Sequence, residues 1–156
     1  MSQIEVIREA GVRFHSDIRG HRLVFDQPIE DGGSDVGPTP TEVFVASLAG
    51  CVAYYATRFL ERHGQQSDGL RVRADFVMAA HPSRVESVAL VLLVPGLPEA
   101  LRAPLLAVVD HCTVHNSLRV APAVHIELDN VLAAVVPAEP RTQGVSFGAG
   151  ARSTRP

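Results

Sequence analysis

The chain has no lysine: all 14 basic residues among its 156 are arginine. That excludes Schiff-base, P-loop and general-base lysine chemistry. It has no basic cluster, and its net charge of -3 gives no electrostatic reason to expect nucleic acid. There are only two cysteines, Cys51 and Cys112. The N-terminus, MSQIEVIREAG, carries acidic residues and no long apolar core, so it is not expected to be a signal peptide. A cytoplasmic protein is the expectation, and there two cysteines are redox-active, metal-binding or simply buried rather than a permanent staple. The chain also lacks a membrane-length run: the uncharged stretch between Glu42 and Arg58 falls short of the roughly 20 residues a bilayer needs.

What is present is a 46% apolar chain, enough for a real core in one domain over residues 1–136, with a flexible Pro/Gly/Ser/Arg-rich tail over 137–156. The organising stretch is Pro40 to His63, which reads as one long helix with Cys51 in its middle. Thr39 and Glu42 predict a capping box around Pro40, and Gly64 supplies the stop. The residues between are apolar nearly all the way round, so the helix is expected to be buried on most sides.

Before it, alternation with Gly11 and Gly20 as punctuation predicts a meander of three short strands up to Phe25. Arg8 shares a face with apolar neighbours there, which suits an edge position with the guanidinium in solvent. Asp26 to Pro38 is a Gly/Pro/Asp loop with no phosphate-binding fingerprint. After it come a half-buried strand from Leu70 to Ala80 and a turn at 81–83. Val85 to Val94 is apolar on both faces and reads as a central strand. A second helix lies within Glu99 to His111, with Pro104 in its first turn or marking a later start, and Cys112 near its C-terminal end on the core side. TVHNSL reads as a short extra turn of helix, and Val120 to Leu128 as a last strand.

Both cysteines fall on core-facing sides of helices. If they meet, one can attack an oxidant as thiolate and become a sulfenic acid, and the other can condense with it to a disulfide. Cys51 is mid-helix, so the cation that activates it must come from an Arg or His. Arg8, Arg13 and His115 are the candidates. A zinc or iron site built from HCTVH at 111–115 with Cys51 has no obvious fourth ligand. A Cys/His hydrolase lacks the nucleophile turn such enzymes favour.

Two stretches resemble a known family. GGSDVGPTPTEVFVASLAGCVAYYA is similar to the signature of the osmotically inducible protein C / organic hydroperoxide resistance superfamily, and HCTVHNSL to its second motif, usually Cys-Pro-Val-x-x-x-Leu. The likeness covers about residues 4 to 130. It implies an α+β fold, with antiparallel sheets wrapped around long central helices in an intertwined homodimer. It also implies a thiol-dependent peroxidase with its active site near the dimer interface, reducing organic hydroperoxides in oxidative-stress defence. No cofactor and no metal are implied, and the reductant is a dithiol, in some members of lipoyl type. By position Cys51 matches the peroxidatic cysteine and Cys112 the resolving one.

The family pattern has a Glu directly after the motif proline, which positions an activating Arg. Here Thr41 follows Pro40 and the acid is Glu42, a shift that rotates the carboxylate by about 100°. The expected catalytic set is Cys51, Cys112, Arg8 or Arg13, and Glu42, with Phe44, Leu48, Tyr55 and His115 around the substrate. The alternative is a non-catalytic member holding a small apolar or thiol-reactive ligand.

Overall fold

The computed structural model describes residues 3–129. The tail over 137–156 lies outside the described residues. Residues 3–122 belong to one compact unit and residues 123–129 to another.

The first three strands are β1 (Glu5–Ala10), β2 (Arg13–Ile18) and β3 (His21–Phe25), an antiparallel sheet in the order β1-β2-β3. The β2–β3 turn is Arg19–Gly20, both with positive φ, 53° and 82°. Such a two-residue turn matches the right-handed twist of the strands it joins. β1 is an edge strand, and the Arg8 Nε donates to the Gly11 carbonyl at 2.9 Å. The meander strands pack on one another.

The loop after β3 is organised by Asp26, a buried carboxylate. It accepts from the amides of Gln27 (2.9 Å), Ser34 (3.0 Å) and Val36 (3.3 Å). Burial pushes its pKa up, but those amides together with the charge of Arg13 outweigh burial and hold it below its ordinary 3.8. Gly33 lies so close to the Gln27 carbonyl that a Cβ there would stand 1.8 Å from the oxygen. The loop thus hands the chain, already ordered, to the start of helix α1 (Pro40–Arg62).

The capping box at that start is complete. Glu42 N–H donates to Thr39 Oγ1 at 3.2 Å, and Thr39 N–H donates back to Glu42 Oε2 at 2.7 Å. At the other end Gly64 takes φ 64°, and Gln65 N–H reaches the Leu60 carbonyl at 2.9 Å. Contrary to the expectation from its short uncharged run, α1 passes as a membrane span by length and composition. Its face carrying Leu48, Val52, Ala56, Phe59 and Leu60 is instead the centre of the core. β4 (Arg71–Ala80) and β5 (Ser83–Leu93) form an antiparallel hairpin that lays Val72, Val88, Leu90 and Leu92 against that face. Helix α2 (Glu99–Val109) adds Leu105 and Val109, with Pro104 inside the helix. The fully buried aliphatic side chains, such as Leu60 and Leu105, each contribute on the order of 1.5–3 kcal/mol.

The structure corrects four expectations. α1 is not buried on most sides: Val45, Leu48, Val52, Ala56, Phe59 and Leu60 are buried along one face, while Phe44 and Tyr54 are exposed. β5 is not a central strand: among the described strands it pairs with β4 alone, and Val91 and Leu93 are exposed. Apolarity on both faces predicts burial on both, but an edge has no partner to supply it. Cys112 does not lie on α2, which ends at Val109; it is the N-cap of a separate helix, α3 (Thr113–Arg119). Residues 121–129 take no regular secondary structure, so the strand expected over Val120–Leu128 is not formed. A strand needs a neighbour to hydrogen-bond, none of the described strands pairs with this run, and Pro122 removes a donor.

Candidate active site

Cys51 is half-buried on α1 and packs against the edge of the core cluster. Cys112 is fully buried, at 0% exposure. The two come together because α1 runs beneath the α2–α3 junction, where the chain stops one helix and starts the next at Cys112. The Cys112 thiol lies beside Cys51, which packs against the same core cluster. Burial pushes the Cys112 pKa above its ordinary 9.0, and the neighbouring Cys51 adds to the rise. The first-turn amides of His115 and Val114 pull the other way and are outweighed. Cys112 is therefore a thiol at neutral pH. Cys51 is the sulfur that a solute can approach.

Around the α2–α3 junction is a cluster of charged side chains that local patterning did not reveal. Arg119 Nη2 donates to Asp110 Oδ2 at 2.6 Å, and His115 Nδ1 lies 3.5 Å from Asp110 Oδ1. The Arg119 hydrogen bond holds the Asp110 carboxyl below its ordinary 3.8. Asn116 Nδ2 donates to the His111 carbonyl at 3.0 Å. The junction is thereby tied at both ends. Among the described residues, no group of three or more His, Cys, Asp or Glu is placed to hold a metal ion.

The other expected site residues divide. Phe44, Leu48 and His115 line one groove of about 780 Å³, together with Met78, Leu118 and Arg119. Tyr55 lines a different depression, with Tyr54, Phe59 and Val108. Its hydroxyl lies 2.9 Å from Thr113 Oγ1. Glu42 is engaged in the capping box. Arg13 Nε lies 2.9 Å from Glu9 Oε2, and His15 and Arg22 turn to the other oxygen, Glu9 Oε1. Neither Arg8 nor Arg13 makes a hydrogen bond to Cys51 within the chain.

The paired cysteines, the capped central helix and the flanking hairpin match a known family. An OsmC-like protein model matches residues 32–128. The chain belongs to the OsmC-like family. No curated protein matches it at the level of sequence. Solved structures share the OsmC-like fold. One is a protein named for an osmotic stress induced and detoxification response, from Psychrobacter arcticus: 21% identity, TM-score 0.70, covering 75% of this chain and 88% of that one. Another is the organic hydroperoxide resistance protein OsmC from Legionella pneumophila: 20% identity, TM-score 0.60, covering 76% and 89%. A third is an organic hydroperoxide resistance protein from Elizabethkingia anophelis: 18% identity, TM-score 0.59, covering 76% and 89%.

Proposed function

We propose that this OsmC-like protein is a thiol-dependent peroxidase that reduces organic hydroperoxides. The observation that carries the reading is the pairing of a reachable Cys51 with a buried, protonated Cys112 beside it. The Cys51 thiolate attacks the terminal oxygen of R–O–O–H. An S–O bond forms as the O–O bond breaks, and the alkoxide takes a proton and leaves as the alcohol. Cys51 is then a sulfenic acid. Cys112 sulfur attacks Cys51 sulfur, the S–O bond breaks, and the Cys112 proton leaves with the hydroxyl as water. A dithiol, of lipoyl type or similar, returns both thiols by exchange.

The groove beside α1 supports an alkyl hydroperoxide rather than hydrogen peroxide, because Phe44, Leu48, Met78 and Leu118 offer an apolar wall to the R group. The working form on this reading is a homodimer in the cytoplasm. Its support is the exposed edge and apolar side chains of β5, and a meander that packs on itself while carrying Arg8 and Arg13. A second copy would then supply the guanidinium that Cys51 does not meet within its own chain.

One observation favours a second reading, a binding protein for a small apolar or thiol-reactive ligand: Glu42 is bound in the helix cap and is not paired with an arginine. Turnover decides between them. With excess dithiol, the peroxidase consumes an alkyl hydroperoxide catalytically, Cys51→Ser abolishes this, and Cys112→Ser accumulates a sulfenic acid on Cys51. Absence of turnover moves the assignment to binding. Equal rates with hydrogen peroxide and an alkyl hydroperoxide would sink the substrate preference.

A further inference from the structure

Tyr55 stands one helical turn beyond Cys51 on α1, and Thr113 directly follows Cys112 at the start of α3. Their hydroxyls are 2.9 Å apart. Among the described residues this is the one side-chain hydrogen bond that joins α1 to α3. Side chains four apart on a helix lie one above the other, so Tyr55 and Cys51 face the same way. Thr113 is bonded through the backbone to Cys112. Each end of the hydrogen bond is therefore carried on the backbone segment of one of the cysteines. Tyr54 packs edge-on against the Tyr55 ring, centroids 5.8 Å apart at 79°, which limits where the hydroxyl can go. The far side of Cys112 is fastened by the Asp110–Arg119 pair.

We propose that Tyr55 and Thr113 form a latch that sets the approach of the Cys112 sulfur to Cys51, making them positioning residues for disulfide formation. The Cys112 sulfur swings toward Cys51 from a peptide that the latch holds against α1, so the latch sets where that swing starts. An attacking group held in place gains over one on a loose segment. Latch and disulfide order the same junction, so each strengthens the other by linkage. The consequence for turnover rests on the peroxidase reading; the latch itself bears on any oxidation that joins the two sulfurs.

The test uses the full-length protein and the variants Tyr55→Phe, Thr113→Val, the double variant, and Thr113→Ser. Disulfide and dithiol forms are first equilibrated in a dithiothreitol redox buffer, which gives the effective concentration of the two thiols without any peroxide. Tyr55→Phe and Thr113→Val should each lower it by about three- to tenfold, a range set by the loss of one hydrogen bond. The double variant should fall no further than either single one, and Thr113→Ser should keep the native value. Stopped-flow thiol loss after peroxide should show the disulfide-forming phase slowed by the same pattern. Single variants within twofold of the native value, or a double variant with the product of the two single losses, would overturn the latch. So would failure of the native protein to form the disulfide in any redox buffer. A native protein that forms the disulfide in the redox buffer but ignores peroxide would defeat the peroxidase reading, while the equilibrium arm still decides the latch.

Discussion

Cys112, wholly buried at the N-cap of α3, lies beside Cys51 in the middle of α1. One sulfur is reachable and the other is shielded and protonated. That asymmetry suits a division of labour in which Cys51 meets the oxidant and Cys112 closes the disulfide.

The raised Cys112 pKa predicts the pH dependence of the second step. Attack needs the thiolate, so disulfide formation should accelerate as pH rises through 9.0 and beyond. Stopped-flow measurement of the sulfenic-to-disulfide phase checks this. Stability carries the opposite sign. The folded state holds the Cys112 proton more tightly than the unfolded state, so this contribution is present below 9.0 and is lost as pH rises through the folded value. The denaturation midpoint of the reduced protein should fall at alkaline pH, and fall less in Cys112→Ala.

Asp26 predicts an acid-side effect. Its folded pKa lies below 3.8, so its stabilisation is present above 3.8 and is lost as pH falls through the folded value. Asp26→Asn should lower the melting temperature at pH 7, because a neutral amide oxygen is a weaker acceptor for three amides. The gap from the native protein should close on acidification. A gap that persists unchanged at pH 2 would contradict the assignment.

Gly33 has no room for a side chain. Gly33→Ala must displace the Gln27 carbonyl, with a destabilisation of about 1–3 kcal/mol. Urea denaturation at neutral pH reads it directly. Gly50, whose Cβ would meet nothing within 4 Å, is the control: Gly50→Ala should be neutral or stabilising by several tenths of a kcal/mol or more.

The capping box should behave as a helix start. Thr39→Ala should cost about 0.5–2 kcal/mol of stability. Glu42→Gln keeps an acceptor for the Thr39 N–H and should retain more stability than Glu42→Ala, as read from thermal unfolding of the three variants.

Much of this was legible in the sequence because the signals were local. Thr39, Pro40, Glu42 and Gly64 bracket α1 by capping chemistry alone, and period-two alternation with Gly turns marks β1 to β4. What was not legible depends on partners distant in the chain. β5 reads as a central strand because both its faces are apolar, yet hydrophobicity does not say whether a second neighbour is present. Val120–Leu128 failed for the same reason. The nearness of Cys51 and Cys112 could be suspected from the core-facing placement of both. The Tyr55–Thr113 bond and the Asp110–Arg119 pair could not, since no periodicity links them. Tyr55 in particular was expected beside substrate, and its spacing from Cys51 was the one hint that it served the cysteines instead.

The most direct test is a single turnover. Reduced protein is mixed with one equivalent of an alkyl hydroperoxide per chain, and free thiols are counted alongside peptide mapping. The account predicts rapid loss of both thiols and recovery of a Cys51–Cys112 linked peptide, with one alcohol formed per chain. Survival of both thiols in a large excess of peroxide would contradict it.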